Sequence, residues 1–231
     1  MYNEFEKDED NWRPDPPKWT VITKKALSYA FGIFVVAIIG FLVVRMLLSQ
    51  PPRAMKQAVW NDTLYTAYQT EGNALKLDQI STPSSFSESS MMSVYTILYC
   101  PSVKQLQVTV RFNDRLFDYL AEDYPEVKDM MERGEDLYVF NLTYRANDTL
   151  VTVKDHSFVK DEKGGYTYYR LIFENITLEG VANMTVNACY VGRPNTPEES
   201  VTIYSTGYGT IPFDYKTPKG VTKGLRTGTE Q

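Results

Sequence analysis

Apolar residues are distributed in two ways along the chain: one continuous block, followed by a long region of alternation. The block runs from Ala26 to Leu48 and carries no polar stripe at helical spacing. A helix of about 23 residues is long enough to cross the hydrocarbon core of a bilayer. No small-x-small cleavage motif follows Leu48, so the block predicts an uncleaved signal-anchor helix rather than a signal peptide.

Beyond the block, apolar and polar residues alternate with the period of half-buried strands. The clearest case is 104–112, where every second residue from Leu106 to Phe112 is apolar. The same reasoning predicts strands at 93–99, 137–145, 149–155, 166–174, 183–191 and 201–205, separated by Gly, Pro and Asn turns. This pattern predicts an all-β exoplasmic domain, an antiparallel β-sandwich of the immunoglobulin or fibronectin kind.

Two stretches depart from this pattern. Residues 114–133 have apolar positions at helical spacing, with Pro125 near a start and Gly134 as a stop, and predict one or two short helices inserted between strands. Residues 58–80 are expected to add one or two edge strands. The insertion also contains several acidic residues without the spacing of a calcium loop, and we expect them on a solvated face: Asp114, Asp118, Glu122 and Asp123.

The chain contains five N-x-T glycosylation sequons, all C-terminal to the apolar block: Asn61, Asn141, Asn147, Asn175 and Asn183. Basic residues near the two ends of the block are almost balanced, so the positive-inside rule gives little direction. N-linked glycans belong to the secretory side of the membrane. The sequons therefore predict a type II glycoprotein with a cytoplasmic N-terminus, in the plasma membrane or an endomembrane.

These observations predict five regions. They are a disordered cytoplasmic tail at 1–25, the transmembrane helix at 26–48, a stalk at 49–57, the sandwich at 58–212 and a disordered tail at 213–231. Within the helix, Ser28, Gly32 and Gly40 share one face and form a candidate helix-packing seam. Arg45 lies one turn from the end, where its side chain can snorkel to the interface.

The two cysteines, Cys100 and Cys189, both follow the apolar block. An even number in a predicted lumenal region favours one disulfide. A cross-link between two chains and two unrelated buried thiols are the alternatives. The alternation places Cys189 on the outward face of its strand together with Asn187, so a bridge buried between the sheets requires a bulge or a change of register.

Signatures of catalysis are missing from the sequence. There is one histidine, His156, which we expect to be an exposed polar residue. No zinc-protease motif, nucleophile elbow or phosphate loop occurs, and the D-x-D-like Asp8–Asp10 lies on the predicted cytoplasmic side. The net charge of -5 argues against a nucleic-acid partner. We therefore expect no catalytic, cofactor or metal site.

Three functions fit the sequence. The first is a non-enzymatic binding or accessory subunit whose β domain docks on a larger membrane protein or an extracellular ligand, and it predicts a glycan-free apolar patch. The second is a self-associating structural or adhesive protein, which predicts a homo-oligomer. The third is a lumenal enzyme, which predicts a concave pocket with convergent ionisable residues.

Overall fold

The computed structural model describes residues 18–48, 50–81, 92–115, 121–122, 124–133, 135–192 and 195–228. Most of the predicted cytoplasmic tail, 1–17, lies outside the described residues. The chain divides into two compact units, 1–48 and 49–231.

The first unit contains the helix α1, Lys18–Leu48. It begins before Ala26, so the last residues of the predicted tail are helical. Within it, 22–47 is the one span in the described part of the chain that is long and apolar enough to cross a membrane. Side chains along this span are exposed, and nothing lies within 4 Å of a Cβ built on Gly32 or Gly40. The packing seam with Ser28 stays a prediction.

The second unit contains two antiparallel sheets, as expected for a sandwich-like β domain. The strands are β1 Asp78–Ile80, β2 Met92–Cys100, β3 Gln105–Asn113, β4 Tyr138–Ala146, β5 Thr149–Val153, β6 His156–Glu162, β7 Tyr166–Phe173, β8 Val181–Tyr190, β9 Pro197–Ser205, β10 Thr210–Pro212 and β11 Arg226–Gly228. One sheet has the order β10-β1-β2-β3-β7-β6-β11, and the other has the order β5-β4-β8-β9. The immunoglobulin or fibronectin kind is not established by this order.

Both sheets contribute to one hydrophobic core. The alternate residues predicted to face inward on β3, from Leu106 to Phe112, are all buried in it, together with Phe140 and Val186 from the four-stranded sheet. The ring of Phe112 stacks on that of Tyr138 with centroids 4.6 Å apart. Burial of side chains of this size contributes about 1.5–3 kcal/mol each, so the predicted alternation identifies the residues that hold the sheets together.

One helix of this unit precedes the first strand, and another lies between β3 and β4. Residues 58–80, expected to form edge strands, contain α2, Asp62–Glu71, before the short β1. The helix forms here because the side chain of Asn61 caps it, accepting a hydrogen bond from the Leu64 amide at 3.0 Å. The predicted insertion contains α3, Pro125–Glu132, with Pro125 in its first turn as expected.

The acidic residues of the insertion do not behave alike. Asp114 is partly buried, and its Oδ1 accepts a hydrogen bond from the Thr167 hydroxyl at 2.6 Å. Burial raises the pKa of its carboxyl group. Asp118 and Asp123 lie outside the described residues, whereas Glu122 is exposed. Among the described residues, no group of three or more His, Cys, Asp or Glu side chains is placed to hold a metal ion.

The segment 50–61 covers the outer face of the seven-stranded sheet, where the sequence predicts a stalk at 49–57. Pro51, Pro52 and Met55 are buried. Gln107 fixes the segment by accepting from the Val59 amide at 2.9 Å and donating to the Val59 carbonyl at 2.7 Å. The outward side chains of Gln105, Gln107 and Thr109 on β3 are therefore buried as well.

Arg170 holds the same segment from β7. Its guanidinium group donates to the carbonyls of Met55 and Gln57, and its side chain is fully buried. Burial lowers its pKa to about 9. This guanidinium group therefore fixes the chain immediately after the apolar helix by binding main-chain carbonyls.

The C-terminal segment also follows the domain surface, where the sequence predicts disorder over 213–231. Phe213 and Tyr215 pack on a second cluster built around Trp60. The Trp60 amide donates to the Thr222 hydroxyl at 2.9 Å, and the Thr222 amide donates to the Trp60 carbonyl at 2.7 Å. Beyond these contacts, β11 adds an edge strand by pairing with β6.

Candidate functional site

Cys100 and Cys189 are both buried free thiols in the structure, so the predicted disulfide is not formed. Cys100 belongs to the cluster around Trp60, on the outer face of the seven-stranded sheet. Cys189 lies on the outer face of the four-stranded sheet, where its sulfur accepts from Asn141 Nδ2 at 3.4 Å. Stacked sheets lie about 10 Å apart, and disulfide-bonded cysteines have Cα atoms within about 7 Å. The core between the two thiols therefore prevents an internal bridge.

Three of the sequon asparagines have exposed side chains: Asn147, Asn175 and Asn183. Asn147 lies in the turn between β4 and β5, and Asn183 lies near the start of the adjacent β8. Asn175 lies in the loop that leads from β7 to β8. The folded domain therefore leaves these three side chains accessible to an oligosaccharide.

The other two sequon asparagines are buried and use their amide nitrogen in hydrogen bonds. Asn61 is 9% exposed, and its Nδ2 donates to Glu174 Oε1 at 2.8 Å. Asn141 is 7% exposed, and its Nδ2 donates to Cys189 Sγ at 3.4 Å. Asn141 does face outward from its sheet, as the sequence predicts, but neighbouring polar side chains cover it. A glycan on either nitrogen would break these contacts.

A cluster of tyrosines around an arginine occupies the outer face of the seven-stranded sheet. The Arg111 guanidinium carbon lies 4.5 Å from the Tyr166 ring centroid and 5.1 Å from that of Tyr95. The rings of Tyr95 and Tyr168 meet edge to face at 6.3 Å. We call these four residues the Tyr–Arg surface. Tyr95 is 40% exposed, whereas Tyr168 is fully buried, so the surface has an accessible rim and a rigid base.

Strand register explains how the Tyr–Arg surface forms. Arg111 on β3 lies directly opposite Tyr168 on β7, and side chains opposite each other in antiparallel strands are close enough to interact. Tyr95 lies where the register between β2 and β3 shifts, and such a bulge redirects side chains. Alternation along 104–112 predicts that Arg111 faces outward, but it does not predict that these four residues lie together.

Exposed sequons lie away from the Tyr–Arg surface. Asn147 and Asn183 belong to the four-stranded sheet. Asn175 follows the last residue of β7, whereas Tyr166 is its first. A strand rises about 3.3 Å per residue, so a glycan on Asn175 is attached at the opposite end of the strand. The Tyr–Arg surface is therefore accessible to a partner in a fully glycosylated protein.

Two cavities flank His156 and bear on the enzymatic alternative. One, of about 510 Å³, contains Asp155 and Glu174 in its wall, and the other, of about 420 Å³, contains Asp136 and Arg226. Asp136 forms ion pairs with Arg226 at 3.2 Å and with Lys160 at 3.6 Å. The charged groups of the second cavity thus neutralise one another.

His156 itself is 8% exposed, so the prediction of an exposed polar residue is wrong. Its ring lies among the rings of Phe140, Phe158 and Phe173. Its Nδ1 lies 2.8 Å from the Lys154 carbonyl oxygen, and burial lowers its pKa. These contacts are those of a histidine packed into the fold beneath β11.

The chain matches no protein-family model, no curated protein and no solved structure. The interpretation of its surfaces therefore depends on their own geometry.

Proposed function

We propose that the protein is a non-enzymatic, type II single-pass membrane glycoprotein whose exoplasmic β domain binds another protein. The partner is a larger membrane protein, to which this chain is an accessory subunit, or an extracellular protein ligand. The Tyr–Arg surface carries the proposal, because it is free of sequons and presents aromatic rings and a guanidinium group to a partner. The immunoglobulin or fibronectin kind of sandwich, a common scaffold for binding loops and faces, belongs to the same proposal.

The composition and rigidity of the Tyr–Arg surface favour protein binding. Tyrosine and arginine are enriched among the residues that dominate interface energies. Arg111 is held between Tyr95 and Tyr166 by cation–π contacts, so little side-chain freedom remains to be lost on binding. Each ring presents a large apolar area beside a hydroxyl group, which suits a contact that is partly wet.

The remainder of the chain supports the membrane part of the proposal. Helix α1 contains a predominantly apolar span of 26 residues, sufficient for a hydrocarbon core of about 30 Å. The three exposed sequon asparagines all lie in the second unit, consistent with an exoplasmic C-terminus and a cytoplasmic N-terminus. Glycans there would cover other surfaces and direct protein contacts toward the Tyr–Arg surface.

The proposal is tested by purifying tagged full-length protein from its native cells in mild detergent and quantifying what accompanies it by mass spectrometry. A stoichiometric larger membrane protein or a secreted protein is the expected companion. Tyr95→Ala and Arg111→Ala should each reduce its recovery at least tenfold, corresponding to a loss of about 1.4 kcal/mol or more.

Thr202→Ala is the matched control, because Thr202 is exposed on the four-stranded sheet. It should recover the companion as the wild type does, and the unfolding midpoint of each variant should show that the domain is folded. Recovery of the protein as a lone monomer, or equal recovery of the companion by all variants, would reject the Tyr–Arg surface as the binding site.

Self-association and lumenal catalysis are the alternatives from other classes. The cavities at His156 are the sites that a catalytic role would use. We assign them a structural role, because in one cavity Asp136 is already paired with Lys160 and Arg226. In the other, Glu174 already accepts hydrogen bonds from Asn61 and Thr63.

A further inference from the structure

The strand β5 is an unprotected edge of the four-stranded sheet. It lies at one end of the strand order, contains no charged residue or proline, and exposes 67% of Leu150. Natural proteins usually protect such edges with charges, prolines or bulges. The opposite edge, β9, follows that rule: it begins with Pro197 and Glu198, and its register shifts twice. The contrast marks β5 as a surface suited to pairing.

Hydrogen-bond geometry determines which main-chain groups β5 presents at its free side. Asn147 and Asp148 form the turn before β5 with φ of 47° and 64°, the signature of a two-residue hairpin loop. That loop closes on the pair Ala146–Thr149. Hydrogen-bonded and non-hydrogen-bonded pairs alternate in an antiparallel ladder, so the main-chain groups of Thr149, Val151 and Val153 bond to β4. The amides and carbonyls of Leu150 and Thr152 therefore point to the free side.

The sequence of β5 is complementary to itself in the antiparallel direction. With Val151 on a two-fold axis, Leu150 lies opposite Thr152 of a second copy, and their outward amides and carbonyls match. In the same register the turn that contains Asp148 lies beside Lys154 of the second copy, just beyond each end of the ladder, and this arrangement occurs twice. The Lys154 ammonium group donates to Asn195 Oδ1 within its own chain at 2.9 Å and keeps further donors for a carboxylate. Both charged side chains are exposed, and the centre of the strand is uncharged.

We propose that two copies of this chain pair through β5, antiparallel about Val151, and join their four-stranded sheets into one sheet of eight strands. Such an interface is isologous, with the same surface on both subunits. A contact of five residues per copy is smaller than the roughly 1,200–2,000 Å² of stable interfaces. Anchoring in one bilayer compensates for this, because it raises the effective concentration of the second copy. The inference uses the proposed anchor but not the Tyr–Arg surface.

Cysteine cross-linking of full-length protein in reconstituted bilayers tests the pairing. In this register Val151 faces its own counterpart as a non-bonded pair, with Cα atoms about 4.5 Å apart, within disulfide range. Val151→Cys should therefore give a covalent dimer under mild oxidation. Val153→Cys should not, because its counterpart lies about 13 Å away along the strand, and this control leaves the Asn147 sequon intact. The wild type controls for Cys100 and Cys189, which are buried.

Charge reversal tests the register separately. In the Val151→Cys background, Lys154→Glu places two acidic residues beside each other and should reduce the cross-linked fraction several-fold. Adding Asp148→Lys restores the opposite charges and should restore the dimer. Circular dichroism of each variant should show an intact β domain. Cross-linking that is absent, equal in Val153→Cys, or unaffected by charge reversal would overturn the proposal.

The sequon at Asn147 lies in the turn before β5, so a glycan there could block the pairing of two β5 strands. The experiment is repeated with Asn147→Gln in the Val151→Cys background. A dimer in both glycoforms supports the pairing, whereas a dimer seen only after Asn147→Gln would show that the glycan closes this edge and would overturn it. Flotation of the same vesicles after carbonate extraction reports anchoring on its own, so loss of the anchor is distinguished from loss of β5 pairing.

Discussion

Gln107 connects the seven-stranded sheet to the segment 50–61 through two hydrogen bonds and makes a third within β3. It contacts both main-chain groups of Val59, and its Nε2 also donates to Gln105 Oε1 at 2.9 Å. Gln107→Leu would leave these buried groups without partners, at a cost of about 1–3 kcal/mol for each unsatisfied group. We expect the free energy of unfolding in denaturant to fall by about 2–4 kcal/mol. The control Gln69→Leu, at an exposed position on α2, should change the free energy of unfolding by less than about 0.5 kcal/mol. Equal effects of the two substitutions would show that the hydrogen bonds of Gln107 do not stabilise the domain.

His156 should make the domain less stable in mild acid. Burial holds its pKa below the usual value, which is about 6.5, so the unfolded chain takes up a proton first as the pH falls. The free energy of unfolding should therefore be independent of this group above about pH 7.5. Below about pH 6.5 it should decrease, with a slope of at most about 1.4 kcal/mol per pH unit.

Thermal unfolding of the wild type and His156→Phe between pH 5 and 8 provides the measurement. The variant keeps an aromatic ring but does not titrate, so its stability should be flatter over this range. The carboxyl groups of Asp114 and Glu199, whose pKa values burial raises, act with the opposite sign and at lower pH. If the stability of both proteins changes with pH in the same way, a group other than His156 causes the sensitivity to acid.

At the scale of elements, the C-terminal segment should contribute to stability although no periodic pattern predicts it. A chain ending at residue 213 loses the Tyr215 ring, which lies 5.4 Å from that of Trp60, and both hydrogen bonds to Thr222. The truncation removes the aromatic contacts of Tyr215 with Trp60 and Tyr68, its hydrogen bond to the Leu75 carbonyl, both hydrogen bonds of Thr222 and the pairing of β11 with β6. We therefore expect a loss of at least about 2–4 kcal/mol. Trp60 fluorescence should shift to the red as water reaches the indole.

The fluorescence experiment requires Trp12→Phe and Trp19→Phe, since the chain has three tryptophans. A chain ending at residue 228 is the control, because it keeps every described contact of the segment. If both truncations leave the emission and the unfolding midpoint unchanged, the segment is not part of the folded domain.

Local pattern predicted the long strands well and the non-local contacts poorly. β2, β3, β4, β7 and β8 lie within two residues of their predicted limits, because alternation records which face of a strand is buried. β6 was missed, since Lys160, Asp161 and Glu162 interrupt its apolar residues. α2 was missed as well, because its one strong sequence signal is the N-cap at Asn61. The same asparagine begins an N-x-T sequon, and only that role was predicted.

At the scale of the whole molecule, surfaces were harder to predict than the core. Alternation predicts that Gln105, Gln107 and Thr109 on β3 face away from the core. The segment 50–61 covers these side chains, so they are buried rather than exposed to solvent. The sequence identified the sequons and cysteines, yet accessibility and distance depend on how the sheets stack, which spacing along the chain does not specify. The Tyr–Arg surface likewise combines residues of β2, β3 and β7, and only register brings them together.

The pattern of glycosylation tests both the membrane orientation and the exposure of each sequon asparagine. If the C-terminal unit is exoplasmic, glycans should be found on Asn147, Asn175 and Asn183, whose side chains are exposed. Asn61 and Asn141 should be unmodified in the folded protein, because their amide nitrogens are engaged in buried hydrogen bonds.

Glycopeptide mass spectrometry of protein from native membranes measures the occupancy of each site. Asn→Gln at each exposed site should remove one glycan without altering the unfolding midpoint, because those side chains lie at the surface. Asn61→Gln should leave the glycan mass unchanged but lower stability by about 1 kcal/mol through loss of the α2 cap. Glycans on Asn61 in the folded protein would contradict the structure around α2, and a chain without any glycan would contradict the proposed orientation.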